Sequence, residues 1–563
     1  MNKIRSVLRV IFVVIIIFLI QFIFLPYRNI YLGDLIQRVT YDDGYEVSEL
    51  SKEQMKTDLD YMLDCITSTT YSSDDMREVF GYTVEDKREH YYDLLDECEN
   101  NGDFYILLSL ILSECGSPHA GMTYCNASSY TGANTFNADI LNLMPNNGGI
   151  GDGWYNYLSE YASEYYKRYY ESDLSPVYVF CHYGSDYVST IQQGLDYCCI
   201  IEINGSSPDE FINSHDFTFL MQYDFIENSL FRNYLYFLRN PASESSEEVE
   251  ITVKYTDGTL ETITCYYDFW ETERYVLAEQ YIGEVGYGFD VNEGTEAISE
   301  DEYIIEYEEE TDTVYIKLPS FEYIDGETLK ESISEYADSD NIIMDVRENP
   351  GGYVGFWENY VYPALYVAPL ENTCNSYIEI GDFYMNIFYG FRVTCSDYDS
   401  IETLKASQLP ISVNSSNKWY HLTQTQEAIG EYTGLNHDRD IAILTDSITC
   451  SCADDFVNYF KTSNLATIYG TNTCGEGTSI TFAQWRLPES KLIFSCGYGI
   501  ILNDEGKSSS IYGTSPDVYV PVDIDLFQQS RVSRDNGLSL YSIESMSQYD
   551  SVFIKAYNDI VNE

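Results

Sequence analysis

Ser451 lies within Ile441–Lys461, IAILTDSITCSCADDFVNYFK, between an apolar run and a helical pattern. Ile441–Thr445 reads as a buried strand, Asp446 and Ser447 break it, and Ala453, Phe456, Val457 and Phe460 recur at helical spacing. The spacing therefore puts a serine hydroxyl where a strand hands over to a helix, beside first-turn N–H groups that have no partner inside the helix. Such groups suit a negative oxygen developing on a substrate carbonyl, which is the chemistry of acyl transfer. The same place also suits an N-cap serine, whose oxygen would occupy one of those N–H groups.

A second stretch, Asn341–Gly352, reads NIIMDVRENPGG. It gives a short apolar strand, then Asp345 and Arg347, then a Pro-Gly-Gly loop whose glycines open backbone conformations closed to other residues. Two such strand-to-loop units can face each other across a cleft.

In order and spacing these residues resemble the S41 peptidases, the family of the tail-specific (carboxy-terminal processing) proteases and the tricorn core protease. There a strand ending in D-x-R-x-N-x-G-G precedes one ending in T-x-S-x-x-E, followed by G-x-x-T-x-G and G-x-x-P-D. Here the corresponding residues are Asp345, Arg347, Asn349, Gly351 and Gly352; Thr449, Ser451 and Asp454; Gly470, Thr473 and Gly475; and Gly513, Pro516 and Asp517. The resemblance runs over roughly residues 51–527. It implies an α/β fold with a crotonase-like (ClpP/crotonase-type) layered catalytic domain, 311–540, behind an N-terminal helical region, 45–130, and a PDZ-like β-rich module, 170–268. It also implies that Ser451 attacks the scissile carbonyl of a protein or peptide. His119, in a Gly116-Ser-Pro-His119 turn like the D-G-H-T turn of histidine-type members, would take its proton. Backbone N–H groups near Gly351, Gly352 and Cys452 would hold the oxyanion, and no metal or cofactor is implied.

Two departures matter. Tail-specific members place a lysine in a G-K-G run 25 residues after the serine, and that position here is Glu476, between Gly475 and Gly477. A Ser-Lys dyad is therefore excluded at its usual place. Histidine-type members recruit a glutamate just before G-x-x-P-D, where this chain has Ser510, with Asp504 and Glu505 shortly before it. The acidic partner of His119 is open among Glu476, Asp504 and Glu505; Glu476 is favoured because its loop approaches the serine in relatives. The same departures motivate a competing expectation, a peptide-binding protein that keeps the fold without turnover.

Several elements must position these residues. Ser51 with Gln54 makes a capping-box signature, and Met55, Leu59, Met62, Leu63 and Ile66 follow on one helical face. Thr83 opens a second helix, Asn101-Gly102 stops it, and a third, Phe104–Leu112, leads to His119. Residues 185–268 read as β-rich, with Ile200–Gly205 and a hairpin of Val249–Val253 and Leu260–Cys265 around Thr256-Asp257-Gly258. An acidic linker, 290–312, leads into the strand from Thr313, and 369–437 reads as an insertion over or beside the cleft. Lys461, ten residues after Ser451 on the same helix, reads as solvent-facing.

The chain starts with Lys3, Arg5 and Arg9 and then an apolar run, Val10–Leu25, broken only by Gln21. No small-residue cleavage site follows, so residues 1–27 are expected to be an uncleaved membrane anchor with the body extracytoplasmic, or secreted were the segment cleaved. A formal charge of −62 repels phosphate backbones and excludes nucleic acid as a partner. None of the fourteen cysteines falls in a C-x-x-C pair of the zinc or redox kind, and they read as packing residues.

Overall fold

The computed structural model describes residues 46–562 except 68–73, 117–119, 124–152, 164–176, 283–301, 381–399, 476–481 and several stretches of five residues or fewer. The expected anchor 1–27, His119 and Glu476 lie outside the described residues. Among the described residues no helix is long and apolar enough to cross a membrane. The fold is mixed α/β with several sheets.

The largest open sheet has six strands: β1 (Ile304–Glu308), β2 (Thr313–Lys317), β3 (Asn341–Asp345), β4 (Asp440–Thr445), β5 (Thr467–Gly470) and β6 (Val518–Tyr519), in that spatial order. β1 runs antiparallel to β2, and all the others are parallel. Every residue of β2 and β3 is buried. That explains why their middles, Val314–Ile316 and Ile342–Met344, read as unbroken apolar runs: a parallel sheet covered on both faces has no solvent side. Helices α1 (Gly326–Ser334) and α2 (Cys452–Thr462) cover one face, packing Leu329, Ile333, Phe456 and Phe460 against Ile316, Ile342, Met344, Ile443 and Ile468. Helices α3 (Ile543–Tyr549) and α4 (Ser551–Asn562), beyond the expected domain limit near 540, cover the other with Met546, Phe553 and Ala556 against Tyr315, Ile343, Leu444 and Tyr469. Adjacent residues such as Ile342 and Ile343 thus serve opposite layers, as the period of two requires.

The N-terminal region is helical as expected, and the Ser51–Gln54 box forms, with the Ser51 N–H donating to Gln54 Oε1 at 3.1 Å. One boundary differs. Asn101-Gly102 opens the third helix, Asn101–Ser113, because Asn100 Oδ1 accepts the N–H groups of Gly102 and Asp103 and acts as its cap. This region shares one core with Trp485, Leu487 and Phe494 of the hairpin formed by Phe482–Arg486 and Ile493–Gly497. The strand Gly121–Thr123, which begins two residues after His119, adds to that hairpin by pairing with Ile493–Gly497. Buried Asp103 takes a bidentate contact from Arg274, at 2.9 and 2.8 Å, and ties the region to the helix Phe269–Ile282.

The β-rich segment closes into a six-stranded barrel of Val177–Tyr183, Asp186–Ser189, Cys199–Ile203, Glu247–Lys254, Leu260–Tyr267 and Tyr234–Leu238. Its expected hairpin is present, turning at Gly258 with φ +83°. The 369–437 segment builds an antiparallel sheet from Asn372–Ile380, Ser400–Lys405 and Lys418–Gln426, extended by Gly499–Ile501.

Candidate active site

Neighbouring parallel strands β3, β4 and β5 end at one edge of the sheet, and the three loops that leave them meet there. A crevice outside the carboxyl ends of parallel strands is where such sheets place their ligands. The loops are pinned by their backbones. The Cys450 N–H donates to Asn349 O at 3.0 Å, the Ser451 N–H to Gly475 O at 2.8 Å, and the Cys474 N–H to Thr449 O at 2.8 Å.

Ser451 sits at the cap position of α2 with φ 54° and ψ −124°, and its side chain makes no capping hydrogen bond. The N-cap alternative is thus not what the hydroxyl does. A left-handed φ on a residue with a Cβ costs about 1–3 kcal/mol and persists where the surroundings impose it. Here the three loop contacts impose it, and among the described residues the hydroxyl has no hydrogen-bond partner at the start of the helix.

Gly351 and Gly352 adopt φ +100° and +138°. A Cβ on Gly351 would come within 2.7 Å of Ser451 Cβ, 2.8 Å of Cys450 O and 2.9 Å of Cys452 N. The Pro-Gly-Gly loop therefore lies directly against the serine. Of the three expected oxyanion donors, Gly351 differs from the other two: its N–H donates to Asn349 Oδ1 at 2.8 Å. Among the described residues the N–H groups of Gly352 and Cys452 make no hydrogen bond. Gly351 serves by close approach, and the two neighbouring amides remain available to an oxygen.

Close approach makes Gly351 sensitive. Gly351→Ala puts a methyl against backbone atoms that cannot swing aside, at a φ few side chains tolerate, and should slow labelling of Ser451 by a serine-reactive fluorophosphonate by about a hundredfold or more. Gly258→Ala, at φ +83° with nothing within 4 Å, is the control that carries backbone strain alone. Equal labelling rates in the two variants would show that the loop does not abut the serine.

The cysteines flanking Ser451 turn away from it. Cys450 Sγ points to Gly475 O at 3.6 Å and Cys452 Sγ to Tyr353 O at 3.1 Å. Burial, with the charges of Asp455 and Glu358, pushes the Cys452 thiol well above its ordinary range and keeps it protonated. The described cysteines elsewhere are thiols, buried except for Cys474.

Behind the loops stand groups that the sequence reading left without a role. Asp454, 2% exposed, accepts the hydroxyls of Thr473 and Thr514 at 2.6 Å each and of Ser509 at 3.1 Å, and so fastens α2 to the two later motif loops. Asp446 accepts the N–H groups of Glu348, Ile448 and Thr449, bridging the loops after β3 and β4. Asp345 accepts from Tyr315, Lys317 and Arg347. Burial pushes its carboxyl up, but the guanidinium of Arg347 and the ammonium of Lys317 outweigh that and hold it well below the usual carboxylate range. The signal for Lys317 was legible: a charge in the apolar strand Thr-Val-Tyr-Ile-Lys, if buried, must find a carboxylate.

Lys461 does not face solvent as expected. It lies 2.6 Å from Asp504 Oδ2 and 2.8 Å from Ser515 O, because the 503–515 turn folds over the last turn of α2. Glu505 accepts from Lys507 and Ser515, which hold its carboxyl below the ordinary value. Both alternative acidic partners of His119 are thus engaged in ion pairs.

Residues 312–520 match the sequence profile described as Peptidase family S41. A comparison with curated proteins found no match. Among solved structures, mature CPAF complexed with lactacystin is similar at 12% identity and TM-score 0.48, covering 86% of this chain and 97% of its own. The photosystem II D1 C-terminal processing protease is similar at 11% identity and TM-score 0.34, covering 84% of this chain and 93% of its own. For the tricorn protease the figures are 13%, 0.34, 91% and 37%.

Proposed function

We propose that the chain is a serine peptidase hydrolysing peptide bonds in proteins or peptides, on the premise that residues 312–520, which match the profile of peptidase family S41, share that family's chemistry. The observation that carries the reading is Ser451 itself, a strained, uncapped serine whose backbone faces the Gly351-Gly352 loop. Ser451 Oγ attacks the scissile carbonyl, and the N–H groups of Gly352 and Cys452 hold the oxyanion. His119 takes the serine proton and later returns it to the leaving amine. Glu476 orients the imidazole; it follows Gly475, whose backbone is already bridged to Cys450, and its rivals Asp504 and Glu505 are ion-paired elsewhere. In this reading the six-stranded sheet with its two helical layers is the crotonase-like catalytic domain, and the closed barrel is the PDZ-like module.

Treatment with a serine-reactive fluorophosphonate, followed by mass mapping of the modified peptide, tests the reading. Adduct on the peptide containing Ser451, with hydrolysis of an unstructured protein substrate, is the expected result. A protein that binds peptides but neither labels nor hydrolyses would be the binding protein without turnover.

The segment 1–27 is proposed as a membrane anchor with the body outside the cytoplasm, on its basic flank and apolar run alone. Protease added to intact cells or protoplasts should then digest the body. A soluble secreted form beginning near residue 30 would show the segment to be a cleaved signal instead.

A further inference from the structure

We propose that Asp550, at the start of the C-terminal helix α4 and outside the S41-matched segment, is a positioning residue for the active site. The contact chain is continuous. Arg347 grips two carboxylates at once: Nε and Nη2 reach Asp345 at 3.0 and 2.6 Å, and Nη1 and Nη2 reach Asp550 at 3.0 and 2.7 Å. Asp550 is itself fixed, because its Oδ1 accepts the N–H groups of Val552 and Phe553 at 3.0 Å each. The far end of the chain is the catalytic loop. Two residues after Arg347, Asn349 accepts the Gly351 N–H through its side chain and the Cys450 N–H through its backbone, and donates to Leu318 O.

Charge and geometry say why one carboxylate would not serve. Lys317 and Arg347 bring two positive charges to the cluster, and fully buried Asp345 supplies one negative charge. Asp550 balances the second, in a place only 15% exposed on the arginine side, where an excess charge is costly. A planar guanidinium held along two edges cannot pivot, whereas one held along a single edge can. Between Arg347 and Asn349 lies Glu348, held at φ +62° with its N–H on Asp446. That left-handed residue relaxes unless both sides are clamped. Asp446 clamps it from β4, and Arg347, through Asp550, clamps it from the helical layer beneath the sheet. The helices that cover the sheet's second face therefore also set the position of the loop against Ser451.

What the loop does for substrate rests on the peptidase reading; the contact chain does not, and the experiment separates the two. Full-length Asp550→Ala, Asp550→Asn and Ile560→Ala proteins are compared by backbone hydrogen exchange over 346–356 and 447–453, and by kcat, KM and labelling stoichiometry. Asp550→Ala should speed exchange in both loops and lower kcat per labelled serine by about tenfold to a hundredfold with KM little changed, as a misplaced catalytic loop does. Asp550→Asn keeps the helix cap and loses the charge, and should fall between. Ile560→Ala removes packing about three turns further along and should lower thermal stability while leaving loop exchange and kcat per labelled serine as they were. Exchange confined to 539–562 in Asp550→Ala, or unaltered kcat per labelled serine, overturns the proposal. Should that variant fail to fold, normal loop exchange in Asp550→Asn overturns it equally. Absence of labelling in the unmodified protein would remove the peptidase reading, and loop exchange would still decide the contact chain.

Discussion

Ser451→Ala is expected to abolish fluorophosphonate labelling and peptide hydrolysis while leaving the unfolding temperature almost unchanged. The two halves of that result come from one geometry. The hydroxyl caps nothing, so its removal forfeits no helix-capping energy. Alanine bears the same Cβ at φ 54°, so the backbone strain is the same before and after substitution. Turnover is another matter, since removal of a serine nucleophile lowers kcat by about a millionfold in a well-studied hydrolase. The thiols on either side cannot substitute: Cys452 is pinned to Tyr353 O and held protonated, and Cys450 turns toward Gly475 O. A Cys450→Ala, Cys452→Ala double variant should accordingly still label. Loss of labelling in the double variant, with its retention in Ser451→Ala, would transfer the nucleophile to a thiol.

Much of this site was legible before the fold because its parts are local. A strand that stops at Thr445 and a helix that starts at Cys452 leave few positions for Ser451, and the paired glycines after Asn349 announce a backbone that must come close to something. What they come close to was not legible, since the contact between Gly351 and Ser451 joins residues about a hundred apart through the parallel pairing of β3 and β4. Asp454 was placed on its motif, but its three hydroxyl partners come from two later loops and emerge only when those loops fold over α2. The second helical layer, α3 and α4, carried no motif at all. Its place could have been inferred only from the sheet, which is apolar at successive positions and so demands cover on both faces. Lys461 illustrates the reverse error, where helical spacing predicts an outward face and a turn 40 residues further on covers it.

His119→Ala should lower kcat by several orders of magnitude, second only to loss of the serine. The expectation rests on the residues that flank His119 in the chain and on what the lysines are doing. In the chain, Gly116, three residues before His119, sits at φ +66° beside Phe80 in the helical core, and Gly121, two residues after it, pairs with Ser495 of the Ile493–Gly497 strand. Meanwhile the lysines near the motifs are committed: Lys317 to Asp345 and Arg347 O, Lys461 to Asp504 and Ser515, Lys507 to Glu505, and Lys491 to Pro488 O. A lysine base would have to break one of these pairs and shed its proton, whereas a histidine needs only to be neutral. The pH profile discriminates between them. With histidine as base, kcat/KM falls as pH drops through about 6 to 7, near the ordinary imidazole value of about 6.5, because protonation removes the acceptor. If Glu476 faces the imidazole, its charge favours the imidazolium and moves that fall to higher pH, and Glu476→Gln should shift it back down with a smaller loss of kcat than His119→Ala. Near-normal turnover in His119→Ala, or a profile whose acid limb lies above pH 8, would sink the histidine mechanism and return the search to a lysine.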